Sequence, residues 1–270
     1  MKNQPHLIAI DLDGTLLKDN KTISPYSKEI LQKAKEQGHH VCIATGRPFR
    51  SSDVYYHELD LNTPIVNFNG AFVHHPKDDS WGSYHTTLEV EVVREIVEVA
   101  EKHDVHNILA EVLDEVYFHY HDEKLLDIFS MGNPEVTIGN LKNVLRKDVT
   151  SILIHAPEEN VEKIRGYLSD VHANVVDHRR WAAPWHVIEI IRAGIHKAVG
   201  LKIIVDYYNI PKDRIIAFGD EDNDLEMLDY AGCGVAMGNG IDQVKAIANE
   251  VTGTNEEDGV ARFLQSYLSL

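Results

Sequence analysis

The chain has 270 residues with 43% hydrophobic and 26% charged side chains, and a formal net charge of −17 with a pI near 5.3. That length supports a large core and suggests two domains. The acidity argues against nucleic acid, whose phosphates require basic patches, and against anionic membrane surfaces.

Two cysteines, Cys42 and Cys233, lie in apolar strand-like runs and read as buried free thiols. With no disulfide framework or zinc spacing, they suit a reducing compartment. Residues 1–6 lead into only four apolar residues, which does not read as a signal peptide, and no apolar run approaches membrane-spanning length. A cytoplasmic protein is the expectation. Of the sixteen histidines, His119 and His121 would share one strand face, but surface or half-buried histidines are expected rather than a metal site.

Residues 6–10, His-Leu-Ile-Ala-Ile, predict a strand, followed by Asp11-Leu12-Asp13-Gly14-Thr15. The strand therefore ends on two carboxylates one residue apart, with a glycine turn behind them. In a parallel α/β sheet the carboxyl ends of strands are where ligands bind. Repulsion between Asp11 and Asp13 calls for a cation nearby, and oxygen ligands suit Mg²⁺. The alternative reading is an Asp-rich turn whose side chains cap backbone amides.

A polar loop, residues 18–21, precedes a helix that starts at Ser24-Pro25 and stops at Gly38. Residues 40–44 form the next strand, ending at Thr45-Gly46-Arg47-Pro48. Its hydroxyl, flexible backbone and guanidinium could hold a phosphate, and Thr45 could also cap the helix of residues 49–59. A strand over 64–68 leads to Asn69-Gly70, and residues from 72 turn into a polar stretch. The first 80 residues thus read β-α-β-α-β-β, the start of a parallel sheet with helices packed on it.

From about residue 83 the rhythm becomes α+β. Helices are expected over 90–103, 122–131 and 158–168, and strands over 107–112, 115–120, 149–155, 174–178 and 185–191. This segment reads as an inserted domain, 83–189, between core segments 1–82 and 190–270. Inside it, Arg179, Arg180, Trp181 and Trp185 make a basic-aromatic patch that could contact a substrate or could be core tryptophans and surface ion pairs.

Core character returns with Lys197 at the start of a helix over 198–208. A cation there opposes the helix dipole unless it faces an anion. A buried-type strand over 215–218 then ends in Gly219-Asp220-Glu221-Asp222-Asn223-Asp224, four acids in five residues. A helix over 225–231, a strand over 232–237 closing on Gly238-Asn239-Gly240, and helices over 242–249 and 260–267 complete the chain.

Four separated segments, Asp11-Leu12-Asp13-Gly14-Thr15, Thr45-Gly46-Arg47, Lys197 and the acidic run from Gly219, stand in order at strand or helix ends. Together with Asn69-Gly70 and Gly238-Asn239-Gly240, the chain resembles the haloacid dehalogenase superfamily of phosphatases, most closely its Cof-type branch with a large α+β cap. The resemblance implies a Rossmann-like α/β parallel-sheet core with an inserted α+β cap. It implies Asp11 as nucleophile, Asp13 as general acid and base, and Thr45 and Lys197 as holders of the phosphoryl oxygens. Gly46, Arg47, Asn69 and Asn223 would meet the substrate's phosphoryl end. Mg²⁺ would be held by Asp11, the Asp13 carbonyl and Asp220, with Asp224 behind them. The expected reaction is Mg²⁺-dependent hydrolysis of small phosphorylated metabolites, such as sugar or cofactor phosphates, by a monomer or homodimer. Glu221-Asp222 stands where the family pattern commonly has a small residue, which leaves the metal site intact and the substrate open. A phosphomutase or phosphotransferase on the same fold remains possible. A receiver-type phosphoacceptor would lack the second acid two residues on, and a non-catalytic binding protein would lack one of the key residues.

Overall fold

The computed structural model describes residues 4–172, 174–180 and 186–270. In chain order the strands and helices are β1 (Leu7–Ile10), α1 (Pro25–Glu36), β2 (His40–Ile43), α2 (Phe49–Glu58), β3 (Ile65–Asn67), β4 (Phe72–His74), β5 (Ser83–His85), α3 (Val90–Ala100), β6 (Asn107–Val112), β7 (Glu115–Phe118), α4 (Glu123–Phe129), β8 (Val136–Ile138), α5 (Leu141–Val144), β9 (Ser151–His155), α6 (Glu158–Val171), β10 (Val176–Arg180), β11 (Val187–Arg192), α7 (Lys197–Tyr208), β12 (Ile215–Gly219), α8 (Leu225–Tyr230), β13 (Cys233–Ala236), α9 (Asp242–Ile247), β14 (Glu250–Val251) and α10 (Gly259–Leu268). No helix among the described residues is long and apolar enough to cross a membrane.

The chain divides into two compact units, one of Met1–Arg47, Ser52–Tyr84 and His196–Leu270, the other of Pro48–Ser51 and His85–Ile195. These joins differ by a few residues from the 82/83 and 189/190 divisions read from the sequence. The excursion at Pro48–Ser51 has a physical cause. The buried Arg50 guanidinium pairs with Glu111 of β6, and the Arg50 backbone N–H donates to Asp114 Oδ1 at 3.0 Å, so this turn of α2 belongs with the second unit.

The first unit is built on a five-stranded sheet in the order β14-β13-β12-β1-β2, with parallel pairing throughout. β1 is buried along its whole length, and its residues alternate between faces. Leu7 and Ala9 pack with Cys42, Ala44, Leu201, Ile204 and Ala217 in one continuous cluster. A single parallel bridge, Ala44 to Val66, sets β3 beside β2, and β3 pairs antiparallel with β4. α1 begins as the sequence indicates: Ser24 Oγ accepts from Ser27 N–H at 2.9 Å and Pro25 occupies the first turn. Both cysteines are free and buried, and burial pushes the Cys42 thiol up to about 12.

The second unit carries a six-stranded sheet in the order β10-β11-β9-β6-β7-β8. Ile108, Ala110, Ile152, Ile154, Ile188 and Ile190 pack on Val93, Ile96, Val97, Ile164 and Leu168 of α3 and α6. A smaller cluster of Leu109, Val116, Phe118, Leu125 and Leu153 lies on the other sheet face. Several sequence expectations are corrected here. β10 runs to Arg180 rather than ending at 178, because His178 and Arg180 face polar partners on α6 and need no apolar core. β11 begins at Val187 among the described residues; Trp181 and Trp185 lie outside them. The edge strand β8, the four-residue α5 and the two-residue β14 were not anticipated. His119 is buried against protein partners, its Nδ1 accepting from Leu141 N–H at 3.2 Å.

Candidate active site

β1 sits between β12 and β2, and the site follows from that placement. Ile10 is in register with Phe218 on one side and Ile43 on the other. The residues just past the strand ends are therefore Asp11 from β1, Asp220 from β12 and Thr45 after β2. Asp11 N–H donates to Phe218 O at 3.2 Å, which keeps the backbone strand-like until the carboxylate emerges.

Gly14 then turns the chain at φ +72°, the left-handed region that glycine enters without strain. A Cβ at this position would lie 2.1 Å from Asp220 Oδ2, so the glycine also makes room for the neighbouring carboxylate. Thr15 Oγ1 donates to Asp220 Oδ1 at 2.9 Å, and Asn239 Nδ2 donates to Gly14 O at 2.8 Å. The closing Gly238-Asn239-Gly240 segment thus braces the first loop.

Lys197 is fully buried at the first residue of α7. Its Nζ donates to Asp11 Oδ1 at 2.6 Å and Asp224 Oδ1 at 2.7 Å. The anion that a cation at a helix N-terminus requires is supplied by the protein itself. These carboxylates hold the ammonium charged against the cost of burial and raise its pKa. Asp224 Oδ2 accepts from the backbone N–H groups of Asp220 and Glu221 at 3.0 and 3.2 Å, and so shapes the loop after β12.

One oxygen each from Asp11, Asp220 and Asp224 lies within 4.8 Å of the others. Burial pushes Asp11 well above the usual carboxylate range; Lys197 opposes this, while Asp224 and Asp220 add to it. Burial and then the Asp224 charge raise Asp220 to about 7. Three crowded acids with one internal cation, all oxygen donors, fit a hard divalent cation, whose charge would offset their repulsion. The chemistry of the donor set therefore suits Mg²⁺.

Asp13 points to different partners. Arg47 binds it bidentately, Nε to Oδ2 at 2.6 Å and Nη2 to Oδ1 at 2.8 Å, and Lys21 Nζ donates to Oδ1 at 2.7 Å. Partial burial would raise its pKa, but the two cations outweigh this and hold it down at about 2. Beyond it, Arg47 N–H donates to Thr45 Oγ1 at 3.1 Å and Asn69 N–H to Thr45 O at 3.1 Å. Asn69 sits at φ +52°, and Asn223 Nδ2 donates to its Oδ1 at 3.0 Å. A Cβ on Gly46 would come within 3.2 Å of the Asn69 amide, so Gly46 permits that approach.

The family model of the haloacid dehalogenase-like hydrolases matches residues 8–264. The chain belongs to this family. It is 67% identical over 270 residues, all of both chains, to the 5-amino-6-(5-phospho-D-ribitylamino)uracil phosphatase YitU of Bacillus subtilis. It is 31% identical over 281 residues to the pyridoxal phosphate phosphatase YbhA of Escherichia coli, covering 97% of this chain and 98% of the relative. Among solved structures, a haloacid dehalogenase-like hydrolase from Bacteroides thetaiotaomicron superposes with a TM-score of 0.85 at 27% identity, covering 98% of this chain and 100% of that one. This haloacid dehalogenase-like chain is a phosphatase, and it acts on phosphorylated metabolites.

In this phosphatase the acids Asp11, Asp220 and Asp224 converge with Lys197, while Thr45, Gly46, Arg47, Asn69 and Asn223 form a connected group beside Asp13. The two arginines picked from the sequence belong to the second unit and part company there. Arg180 is tied to Glu158 at 3.3 Å, Glu162 at 3.8 Å and His186 Nδ1 at 3.0 Å. Arg179 stands opposite Glu189 in the β10–β11 ladder, on the other sheet face. Sequence reasoning passed over three contributors, Thr15, Lys21 and Asn239. Thr15 and Asn239 lay inside quoted motifs without an assigned role, and Lys21 lay in a loop that read only as polar.

Proposed function

We propose that this chain hydrolyses the phosphoric monoester of 5-amino-6-(5-phospho-D-ribitylamino)uracil, with Mg²⁺ and through an aspartyl-phosphate at Asp11. The observation that carries the substrate is 67% identity over the full length of both chains to the phosphatase whose name states that substrate. The first unit is proposed as the catalytic core and the second as the inserted cap.

In this reading Asp11, Asp220 and the Asp13 carbonyl, with Asp224 behind them, would hold Mg²⁺, whose charge would offset that of the phosphoryl oxygens. The Asp11 carboxylate attacks phosphorus while the ester P–O bond breaks. The electron pair of that bond goes to the leaving oxygen, which takes a proton from the Asp13 carboxylic acid. Water then attacks the aspartyl-phosphate, the Asp13 carboxylate takes its proton, and the bond to Asp11 breaks. An ammonium has three donors, and Lys197 uses two of them on Asp11 and Asp224. The third serves a phosphoryl oxygen, as does the Thr45 hydroxyl. Gly46, Arg47, Asn69 and Asn223 complete the phosphoryl end.

The test is phosphate release from the ribitylaminouracil phosphate, pyridoxal 5′-phosphate and a set of sugar phosphates, with Mg²⁺ and after chelation. The ribitylaminouracil phosphate should have the highest kcat/KM, and chelation should stop turnover until Mg²⁺ is restored. No turnover of that substrate while another is hydrolysed well would refute the substrate. Full activity in chelator would refute the metal.

A further inference from the structure

We propose that Asn255 is a positioning residue for the loop that follows β1: its side-chain amide holds residues 11–19 in the shape that presents Asp11 and Asp13. The inference rests on those two residues being the reacting groups, as proposed above.

The amide's hydrogens show what it holds. Asn255 is buried, and its Nδ2 has two hydrogens to give. One goes to Leu17 O at 3.0 Å and the other to Asp19 Oδ1 at 3.1 Å. Its backbone N–H donates to Asn239 Oδ1 at 2.9 Å, the same asparagine whose Nδ2 donates to Gly14 O. The two asparagines therefore grip the loop on both sides of its turn, at Gly14 and at Leu17. Leu17 passes the constraint on. Its N–H donates to Leu12 O at 2.8 Å, Leu16 N–H donates to Asp11 O at 3.3 Å, and Leu17 forms an isolated parallel bridge with Asp13. The peptide units around Asp11 and Asp13 are thus tied to the residue whose carbonyl Asn255 holds.

The segment that carries Asn255 is itself fixed. Glu257 Oε2 accepts from Thr254 N–H at 3.0 Å, Glu257 N–H donates to Thr254 Oγ1 at 3.2 Å, and Gly259 N–H closes the turn on Thr254 O at 3.0 Å. A Cβ on Gly259 would stand 2.2 Å from Gly253 O, so the close approach needs a glycine. Two neighbouring contacts run the same way: Asp19 N–H donates to Glu256 Oε1 at 2.7 Å and Lys18 Nζ to Glu256 O at 2.7 Å. Those two are exposed, so water can replace them. The bond from Asn255 to Leu17 O is buried, and its loss strands a carbonyl. Both Nδ2 hydrogens go to the loop and neither to the sheet or to α10, so the amide acts on the loop's shape.

A contact that only stabilises the fold lowers the unfolding midpoint and leaves the folded loop as it was. A positioning contact changes the loop while the protein is folded. The experiment compares wild type, Asn255→Ala, Asn255→Leu, which keeps the side-chain volume, and Thr63→Val. The last removes a buried bond from Thr63 Oγ1 to Val41 O in the same unit and is the stability control. Each protein is measured for its urea midpoint, for amide hydrogen exchange of residues 11–19 without denaturant, and for kcat and KM on p-nitrophenyl phosphate with Mg²⁺. Both Asn255 variants should exchange the loop amides at least about fivefold faster. Their kcat should fall by about ten- to hundredfold with KM within about twofold, because Asn255 displaces reacting groups and touches no substrate. Thr63→Val should lose a similar amount of midpoint and keep wild-type loop exchange and kcat. Unchanged exchange or unchanged kcat in the Asn255 variants, or the same changes in Thr63→Val, would overturn the positioning role. Wild-type turnover in Asp11→Asn would instead overturn Asp11 as the reacting group, and the positioning role with it.

Discussion

Lys197→Met is the substitution whose cost the geometry defines most sharply. The wild-type ammonium is fully buried and holds Asp11 at 2.6 Å and Asp224 at 2.7 Å. Methionine keeps much of the side-chain volume and loses the charge, leaving two buried carboxylates beside the third at Asp220. Removing one partner of a buried, hydrogen-bonded ion pair costs about 3–5 kcal/mol, because the remaining charge is stranded. With a urea m-value near 3 kcal/mol/M, the unfolding midpoint should fall by about 1–1.7 M. Turnover should fall by about a hundred- to thousandfold, the usual cost of losing one preorganised donor at a developing charge. The companion variant Lys197→Met/Asp224→Asn removes one of the stranded charges, and it should recover at least ~1 kcal/mol relative to simple addition of the single effects. Urea titrations of wild type, Lys197→Met, Asp224→Asn and the double variant measure the midpoint shift and the coupling. A Lys197→Met loss below about 1 kcal/mol, or strict additivity in the double variant, would mean the charges are solvated, and the reasoning would fail.

Gly14→Ala should bind Mg²⁺ more weakly and turn over at least tenfold more slowly while remaining folded, since the new methyl would displace Asp220 and the left-handed backbone adds about 1–2 kcal/mol of strain; unchanged Mg²⁺ dependence would contradict this. Arg180→Ala should cost about 1 kcal/mol or less and leave the ranking of phosphorylated substrates intact, because its partners are surface acids and His186; a changed ranking would give Arg180 a recognition role. The histidine contribution to acid stability carries a definite sign. Burial lowers the pKa of His39, His119 and His155 in the folded chain, and the Nδ1 atoms of His39 and His119 accept backbone N–H donors and so must stay unprotonated. Below about pH 6.5 the unfolded chain takes up protons that the folded chain refuses, so this stability is complete above that pH and is lost as pH falls through the window down to the lowered folded values. Asp220, raised to about 7, acts in the opposite sense over the same pH range, so the difference between two proteins isolates the histidine part: wild type should lose more stability than His39→Asn, whose amide oxygen can still accept from His6 N–H, as pH falls across that window, and parallel profiles would contradict the assignment.

The site was legible because its chemistry is written in contiguous runs at strand ends. Asp11 and Asp220 each follow a short apolar strand, and strand order in a parallel sheet brings them together without any further information. Lys197 was legible for the opposite reason, as a charge placed against its helix dipole. What the sequence hid were contacts set by backbone conformation. Lys21 reaches Asp13 only from a left-handed turn, and Asn69 reaches Asn223 only at φ +52°. In the second unit, β10 escaped its bounds because His178 and Arg180 pair with polar side chains of α6, so no apolar alternation marks that end. β8 exposes Val136 and Ile138 at the sheet edge, and three such residues carry too little pattern to distinguish a strand from a loop.

The proposed mechanism requires a covalent bond between an Asp11 carboxylate oxygen and phosphorus. Enzyme turning over the ribitylaminouracil phosphate with Mg²⁺ is quenched in acid within the first turnovers, reduced with borohydride and digested. Reduction converts an aspartyl-phosphate to homoserine, and peptide mass spectrometry locates it. Homoserine at position 11, dependent on substrate, is the predicted result. Homoserine at another carboxylate, or none at any time point during active turnover, would contradict it.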